Sequence, residues 1–155
     1  MRRAGRVSPL FLGVVVAVVA LAILLLFGQE NPATAGAKFL DALARGDADA
    51  LTKSSFANGK SPEELRKDWE FTTKVSKHYL FHWNITSSRV VNDDTADVKV
   101  QVMRNFGPGS YEENYGLPLR KVDANGKIDP KGTWKVDASG ISREMFPGLP
   151  RPGKG

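Results

Sequence analysis

The sequence predicts an α+β protein, with an N-terminal transmembrane helix followed by one domain whose helices lie across a curved antiparallel sheet. Three observations lead to this prediction. Residues 10–27 contain no charged or polar side chain. Two segments between residues 33 and 80 repeat their apolar residues at the spacing of an amphipathic helix. From residue 81 the apolar residues alternate with polar ones, which is typical of strands with one buried face.

The apolar run from Leu10 to Phe27 predicts a retained membrane anchor. Its 18 residues would rise about 27 Å as a helix, close to the roughly 30 Å hydrocarbon core of a bilayer. The run is also longer than the apolar region of a cleaved secretory signal. Arg2, Arg3 and Arg6 precede it, so the positive-inside rule places the N-terminus in the cytoplasm. We therefore expect a single-pass protein of the cytoplasmic membrane whose C-terminal domain is extracytoplasmic or periplasmic.

Charge and cysteine content exclude several function classes. The formal net charge is +5, and because three positive charges precede the apolar run, residues 7–155 carry only +2. Acidic and basic residues are interspersed there, without the basic stripe that a nucleic-acid interface needs. We therefore expect no nucleic-acid partner. The chain has no cysteine, which removes disulfides, thiolate metal ligands and a cysteine nucleophile.

Two helical segments open the predicted domain. Pro32 begins the first, whose apolar stripe consists of Gly36, Phe39, Leu40 and Leu43. Gly46 is placed to end this helix in a left-handed conformation, and Asp47 can cap a short helix that runs through Leu51. Asn58-Gly59-Lys60 is a predicted turn.

The next helix begins at Ser61 with a capping box, because serine at the N-cap position is followed by proline at N1 and by Glu64 at N3. On a helical wheel its apolar residues cover one arc of about 160°. The residues of this arc are Leu65, Trp69, Phe71, Thr72, Val75 and Tyr79.

Four strand segments follow, separated by turns. The first alternates Phe81, Trp83 and Ile85 with polar residues, and the second alternates Ala96, Val98, Val100 and Val102. Residues 111–122 form a less regular third strand, in which Pro118 indicates an edge or a bulge. A polar hairpin over residues 123–132 leads into the last strand, residues 133–137.

These elements predict five regions of the chain. They are a basic cytoplasmic N-terminus (1–9), a transmembrane anchor (10–27), a linker (28–32), a folded domain (33–138) and a proline- and glycine-rich tail (139–155). Helices followed by an antiparallel meander is the element order of an α+β domain.

Two short stretches resemble a known superfamily. Ala37-Lys38-Phe39-Leu40-Asp41-Ala42-Leu43-Ala44-Arg45-Gly46-Asp47 is similar to the opening helix of the nuclear-transport-factor-2-like (NTF2-like, cystatin-like cone) superfamily. The pairing of Leu119-Arg120-Lys121-Val122 with Gly132-Thr133-Trp134-Lys135-Val136-Asp137 is similar to its last hairpin. The resemblance implies a cone of helices on a curved sheet over residues 33–138, and many bacterial members are small exported domains.

A narrower resemblance concerns the C-terminal part. Trp134-Lys135-Val136-Asp137 followed by Met145-Phe146-Pro147-Gly148-Leu149 resembles the end of the anchored NTF2-like domain of some penicillin-binding proteins. In those proteins a transpeptidase with a Ser-x-x-Lys motif follows. This chain contains no Ser-x-x-Lys, so the kinship would imply a non-catalytic cell-envelope module.

The sequence offers no convincing catalytic group. His78 lies outside the apolar arc of its helix, and His82 alternates with Phe81 and Trp83, so we expect both imidazoles to point away from the core. Asp93 and Asp94 lie in a turn, where carboxylates usually accept hydrogen bonds from backbone donors. We therefore predict no catalytic residue, no metal site and no cofactor.

A pocket between helices and sheet, as the resemblance implies, would be lined by aromatic side chains. The candidates are Trp69, Tyr79, Trp83, Tyr111, Tyr115 and Trp134. Core packing explains most of this set equally well.

Three functional hypotheses remain open. The first is a non-enzymatic interaction or scaffold module held at the membrane by residues 10–27, such as an accessory subunit of a membrane complex, with a protein partner or a second copy of the chain. The second is a small-molecule-binding or enzymatic NTF2-like domain. The third is the cell-envelope module related to penicillin-binding proteins. An open, polar-floored cone favours the second hypothesis, and a cone filled by side chains favours the first.

Overall fold

The structure, a computed structural model, describes residues 30–75, 81–106 and 108–145. A compact unit of the chain begins at Asn31. The predicted anchor, residues 10–27, lies outside the described residues. Within those residues, no helix is long and apolar enough to cross a membrane.

Three helices and five strands make up the described fold. In chain order they are α1 (Pro32–Arg45), α2 (Ala48–Ser54), β1 (Ser55–Phe56), α3 (Pro62–Val75), β2 (Phe81–Asn92), β3 (Thr95–Phe106), β4 (Gly109–Val122) and β5 (Thr133–Asp137). Two short 3₁₀ turns follow, Ala138–Gly140 and Arg143–Met145. The α+β prediction is confirmed.

The predicted stripe of α1 is confirmed, because its Gly36, Phe39, Leu40 and Leu43 are all buried. The Asn31 side chain caps the helix by accepting a hydrogen bond from the Thr34 backbone N–H at 2.8 Å. Local sequence ends α1 and begins α2 as predicted. Gly46 has φ +67°, and Asp47 accepts a hydrogen bond from the Ala50 backbone N–H at 2.9 Å.

The capping box of α3 is formed, with the Glu64 carboxylate accepting a hydrogen bond from the Ser61 backbone N–H at 2.8 Å. That bond lowers the pKa of the Glu64 carboxyl. The predicted buried arc is wrong in one residue, since Phe71 is 60% exposed. At about 100° per residue, Phe71 lies about 200° around the helix from Trp69. The observed stripe consists of Leu65, Trp69, Thr72 and Thr73.

The strands form one five-stranded sheet in the order β1-β5-β4-β3-β2. All pairs are antiparallel except β1 with β5, which is parallel. Side chains alternate as predicted, so Ala96, Val98, Val100 and Val102 of β3 lie buried on one face. The helices cover that face, which we call the inner face. The outer face carries mainly polar, exposed residues of β2, β3 and β4.

Strand irregularities fall at the edges of the sheet. β2 is an edge strand and contains two register shifts, one between Ile85 and Ser87 and one between Val90 and Asn92. Pro118 pairs with Asp97 in an unbroken register, so it does not mark a bulge. β5 pairs only with residues 119–122 of β4, which leaves Pro118 just beyond that pairing, at the edge position where proline is tolerated.

The folded part extends past residue 138, the predicted domain boundary. Ile141 and Met145 are 1% and 4% exposed and belong to the hydrophobic core. The two 3₁₀ turns therefore complete the domain, although residues 139–145 have none of the regular periodicity that predicts a helix or strand.

Candidate functional site

Around Trp69, the space between the helices and the inner face of the sheet is filled by described side chains. Trp69 of α3 is fully buried, and its ring meets that of Phe39 edge to face, with centroids 5.6 Å apart at 62°. Its indole N–H donates a hydrogen bond to the Ser55 hydroxyl at 2.9 Å. Phe39, Leu40, Val98 and Val100 around it are fully buried as well. At this position the cone has a packed core.

The five predicted pocket residues that the structure describes differ in their burial. Trp69, Tyr115 and Trp134 are buried core residues, Trp83 is half-buried against the core, and Tyr111 is exposed. Tyr79 lies outside the described residues. The Lys121 ammonium lies 5.1 Å from the centroid of the Trp134 ring, in a cation–π contact.

A polar cluster lies on the inner face where β3 and β4 approach their connecting turn. The Arg104 guanidinium is buried and lies 3.2 Å (Nε to Oε2) from the Glu113 carboxylate. The Tyr115 hydroxyl donates to the same carboxylate. We call Arg104, Glu113 and Tyr115 the inner cluster.

The inner cluster holds the C-terminal 3₁₀ turn. Arg104 Nη2 donates to the Met145 carbonyl oxygen at 2.6 Å, and the Tyr115 hydroxyl lies 3.0 Å from the Glu144 carbonyl oxygen. Of the donors that an anionic ligand could use, Arg104 Nη2 is thus bound to a carbonyl of the chain and the Tyr115 hydroxyl to the Glu113 carboxylate. Arg104 Nε is fully buried without a hydrogen bond, because the Glu113 oxygen lies outside good hydrogen-bond geometry.

Burial, and then the bond to Glu113, raises the pKa of the Tyr115 hydroxyl to about 12. The phenol is therefore neutral over the physiological range and acts as a hydrogen-bond donor. A group with so high a pKa is a poor general base near neutral pH. The inner cluster therefore connects β3 and β4 to the C-terminal 3₁₀ turn.

Sequence reasoning did not single out Arg104 and Glu113, although a signal was present. The alternation of Val98, Val100 and Val102 places residue 104 on the inner face, where a charged side chain requires a partner. The pairing of β3 with β4, in which Phe106 lies opposite Gly109, places Val102 opposite Glu113. An inward arginine opposite an inward glutamate could thus have been found.

A small surface depression lies near β1 and is lined by Ser55, Phe56, Lys60, Leu65 and Lys135, among others. None of the six predicted aromatic residues lines it. Its volume of about 50 Å³ accommodates a few water molecules rather than a metabolite.

The candidate acid–base residues that the structure describes lie away from the core. His82 is exposed on the outer face, as predicted, and His78 lies outside the described residues. Asp94 differs from the prediction. Its carboxylate accepts a hydrogen bond from the Thr95 hydroxyl at 2.6 Å and lies 3.2 Å from Nη1 of Arg120. These side-chain contacts connect the turn to β4.

Comparison with known proteins gives similarity in fold only. No protein-family model matches the sequence, and no curated protein matches it. A ketosteroid isomerase-like protein from Erwinia carotovora atroseptica is similar in structure, with 16% identity and a TM-score of 0.44, over 68% of this chain and 87% of that chain. An NTF2-like protein of unknown function from Shewanella oneidensis gives 14% identity and a TM-score of 0.43, over 67% and 89% of the two chains. The described residues form three helices on the inner face of a mixed five-stranded sheet, which is the helix-on-sheet architecture that the sequence predicts.

Proposed function

We propose that this chain is a membrane-anchored, extracytoplasmic interaction or scaffold module that acts without catalysis. The observation that carries the proposal is the packed interior around Trp69, within the part of the chain that the structure describes. Trp69, Phe39 and their neighbours occupy the space in which a ligand-binding cone would hold its ligand. In the inner cluster, Arg104 Nη2 donates to the Met145 carbonyl and the Tyr115 hydroxyl donates to the Glu113 carboxylate. What remains for recognition is the outer surface.

The anchored part of the proposal rests on the sequence. The apolar run of residues 10–27 has the length of a membrane span, and the arginines before it favour a cytoplasmic N-terminus. Reporter fusions after Gly155 test this topology. A periplasm-dependent reporter is active and a cytoplasm-dependent one is silent if the domain is extracytoplasmic, and the reverse result contradicts the proposal.

The outer face of the sheet is the surface that we propose for a protein partner. It is broad and carries mixed polar groups, including His82 and the hydrogen bond from Gln101 to Glu112 at 3.0 Å. Met103, 40% exposed, gives it an apolar centre. Mixed polar character with a few apolar residues is the usual composition of a non-obligate interface.

Site-specific photocrosslinking in native membranes tests this surface. A photoreactive residue at position 103 should give one discrete protein adduct, either a defined partner or a second copy of the chain. The same residue at position 71, exposed on α3, is the matched control and should not give that adduct. No adduct at position 103, together with a small molecule that copurifies with the chain, would favour the ligand-binding alternative instead.

A further inference from the structure

The edge of the sheet at β2 exposes two adjacent valines close to the β2–β3 turn. Val90 is 56% exposed and Val91 is 51% exposed. The register shift between Val90 and Asn92 makes Val91 the extra residue of a bulge. Branched apolar side chains are normally used in strands to pack against a neighbouring surface. Here about half of each side chain is open to solvent.

Helix α1 contacts β2 at this same edge. A Cβ at Gly36 of α1 would lie 3.4 Å from the Val98 side chain, and Val98 pairs with Ser88 of β2. Val90 is the next residue of β2 on that face. The other end of α1 continues into α2, which contacts β1 and β5 at the opposite edge of the sheet. Pro32, at the N-terminus of α1, is therefore on the same side of the sheet as Val90.

The length of the chain before Pro32 indicates which surface this edge faces. The predicted span ends at Phe27, so only residues 28–31 lie between it and α1. Four residues reach at most about 14 Å when fully extended. A tether this short keeps the surface around Pro32 close to the bilayer.

We propose that the β2 edge at Val90 and Val91 contacts the lipid bilayer and forms a second membrane contact beside the anchor. The proposal rests on the proposed function, because it requires residues 10–27 to remain in the membrane. The contact would fix the orientation of the domain and leave the outer-face surface around Met103 free for a partner. Shallow insertion of apolar side chains at the headgroup boundary is a known mode of membrane binding.

The charges beside the valines indicate which part of the lipid they meet. Arg89 is exposed next to Val90, and Asp93 is exposed in the following turn. Asp94 is paired with Arg120. Asp97 of β3 is also exposed and lies opposite Arg89 in the sheet. One cation beside these carboxylates gives no net attraction to anionic headgroups. The contact is therefore apolar, and added salt should change it little.

Single-cysteine labelling tests the proposal cleanly, because the chain contains no cysteine. Val91→Cys is the test variant and Met103→Cys the matched control, since both positions are exposed and apolar. Met103 is eight residues along β3 from Thr95, which places it about 26 Å from the β2–β3 turn. The full chain is reconstituted in vesicles of phosphatidylethanolamine and phosphatidylglycerol that contain a nitroxide lipid.

A fluorophore at position 91 should be quenched by the nitroxide roughly two- to threefold more than one at position 103, because a group at the headgroup boundary lies within about 5–10 Å of it. The difference should persist in high salt. Equal quenching at both positions overturns the proposal. Val90→Cys repeats the measurement without altering the bulged residue.

Carbonate extraction of the same labelled proteins separates the two possible failures. If the chain is extracted, anchoring fails, and both the proposed function and this inference are wrong. If the chain stays in the membrane while position 91 is quenched no more than position 103, the inference alone is wrong.

Discussion

Replacing Trp69 with alanine removes the largest fully buried side chain from the interior of the cone. The substitution deletes the edge-to-face contact with Phe39 and the hydrogen bond to the Ser55 hydroxyl. An edge-to-face contact contributes about 0.5–1.5 kcal/mol. A hydrogen bond contributes about 1 kcal/mol. Lost burial and the cavity left behind bring the whole cost to about 3–5 kcal/mol. Since a domain of this size has about 5–15 kcal/mol of stability, the loss is a large fraction of the total.

Urea unfolding of residues 31–155, followed by far-ultraviolet circular dichroism, measures this cost without relying on the tryptophan that is removed. Phe71→Ala is the matched control, because Phe71 lies on the same helix but is mostly exposed. It should change the free energy of unfolding by about 0.5 kcal/mol or less. A cost below about 1 kcal/mol for Trp69→Ala would refute the reasoning, because it would mean that the interior is not close-packed around this side chain.

Three further predictions concern the β4 region. Gly132→Ala should destabilise the domain by about 1–3 kcal/mol, because its Cβ would lie 2.2 Å from the Val122 carbonyl oxygen. Gly116 has open space around it, so Gly116→Ala should leave the thermal unfolding midpoint nearly unchanged. Because the pKa of Tyr115 is raised from 10.0 to about 12, its contribution to stability is complete below pH 10 and is lost as the pH rises to about 12. The unfolding midpoint of Tyr115→Phe should therefore depend less on pH in that range. Arg104→Met should lower the free energy of unfolding in urea by about 2–3 kcal/mol. This is less than the loss expected for a fully buried ion pair, because the partner carboxylate on β4 keeps 31% of its side chain exposed.

Several parts of the fold could be predicted because their signals are local. The stripe of α1, the left-handed Gly46 and the capping box at Ser61 each depend on residues within about one helical turn. Alternation predicted the buried face of β3 for the same reason, since each side chain faces opposite to its neighbour. All of these are confirmed by the structure.

Other parts depend on which elements meet in space, and the sequence alone underdetermines them. Phe71 is apolar but lies outside the face that α3 turns to the sheet, so the helical wheel placed it in the buried arc wrongly. Ile141 and Met145 belong to the hydrophobic core although no periodic pattern predicts their burial. The aromatic residues proposed as pocket lining included three core residues, since aromatic side chains serve packing and ligand contact equally well.

The inner cluster cannot be predicted from the residue pattern of any single helix or strand. The inward position of Arg104 follows from alternation, but its partner is identified only through the register of the β3–β4 hairpin. The carbonyls that lie against the cluster, those of Glu144 and Met145, belong to a 3₁₀ turn that no periodicity in the sequence predicts. Contacts of this kind depend on the tertiary fold rather than on local spacing.

Native mass spectrometry of the full chain, released from its own membranes in mild detergent, tests the central claim most directly because it weighs bound proteins and bound small molecules together. The account predicts a defined stoichiometric assembly with a protein partner or a second copy of the chain. A charged substitution at Met103, on the outer face, should weaken that assembly, whereas the same change at Phe71 should not. A monomer that carries a tightly bound small molecule would contradict the account, because the interior of the cone would then be a binding pocket.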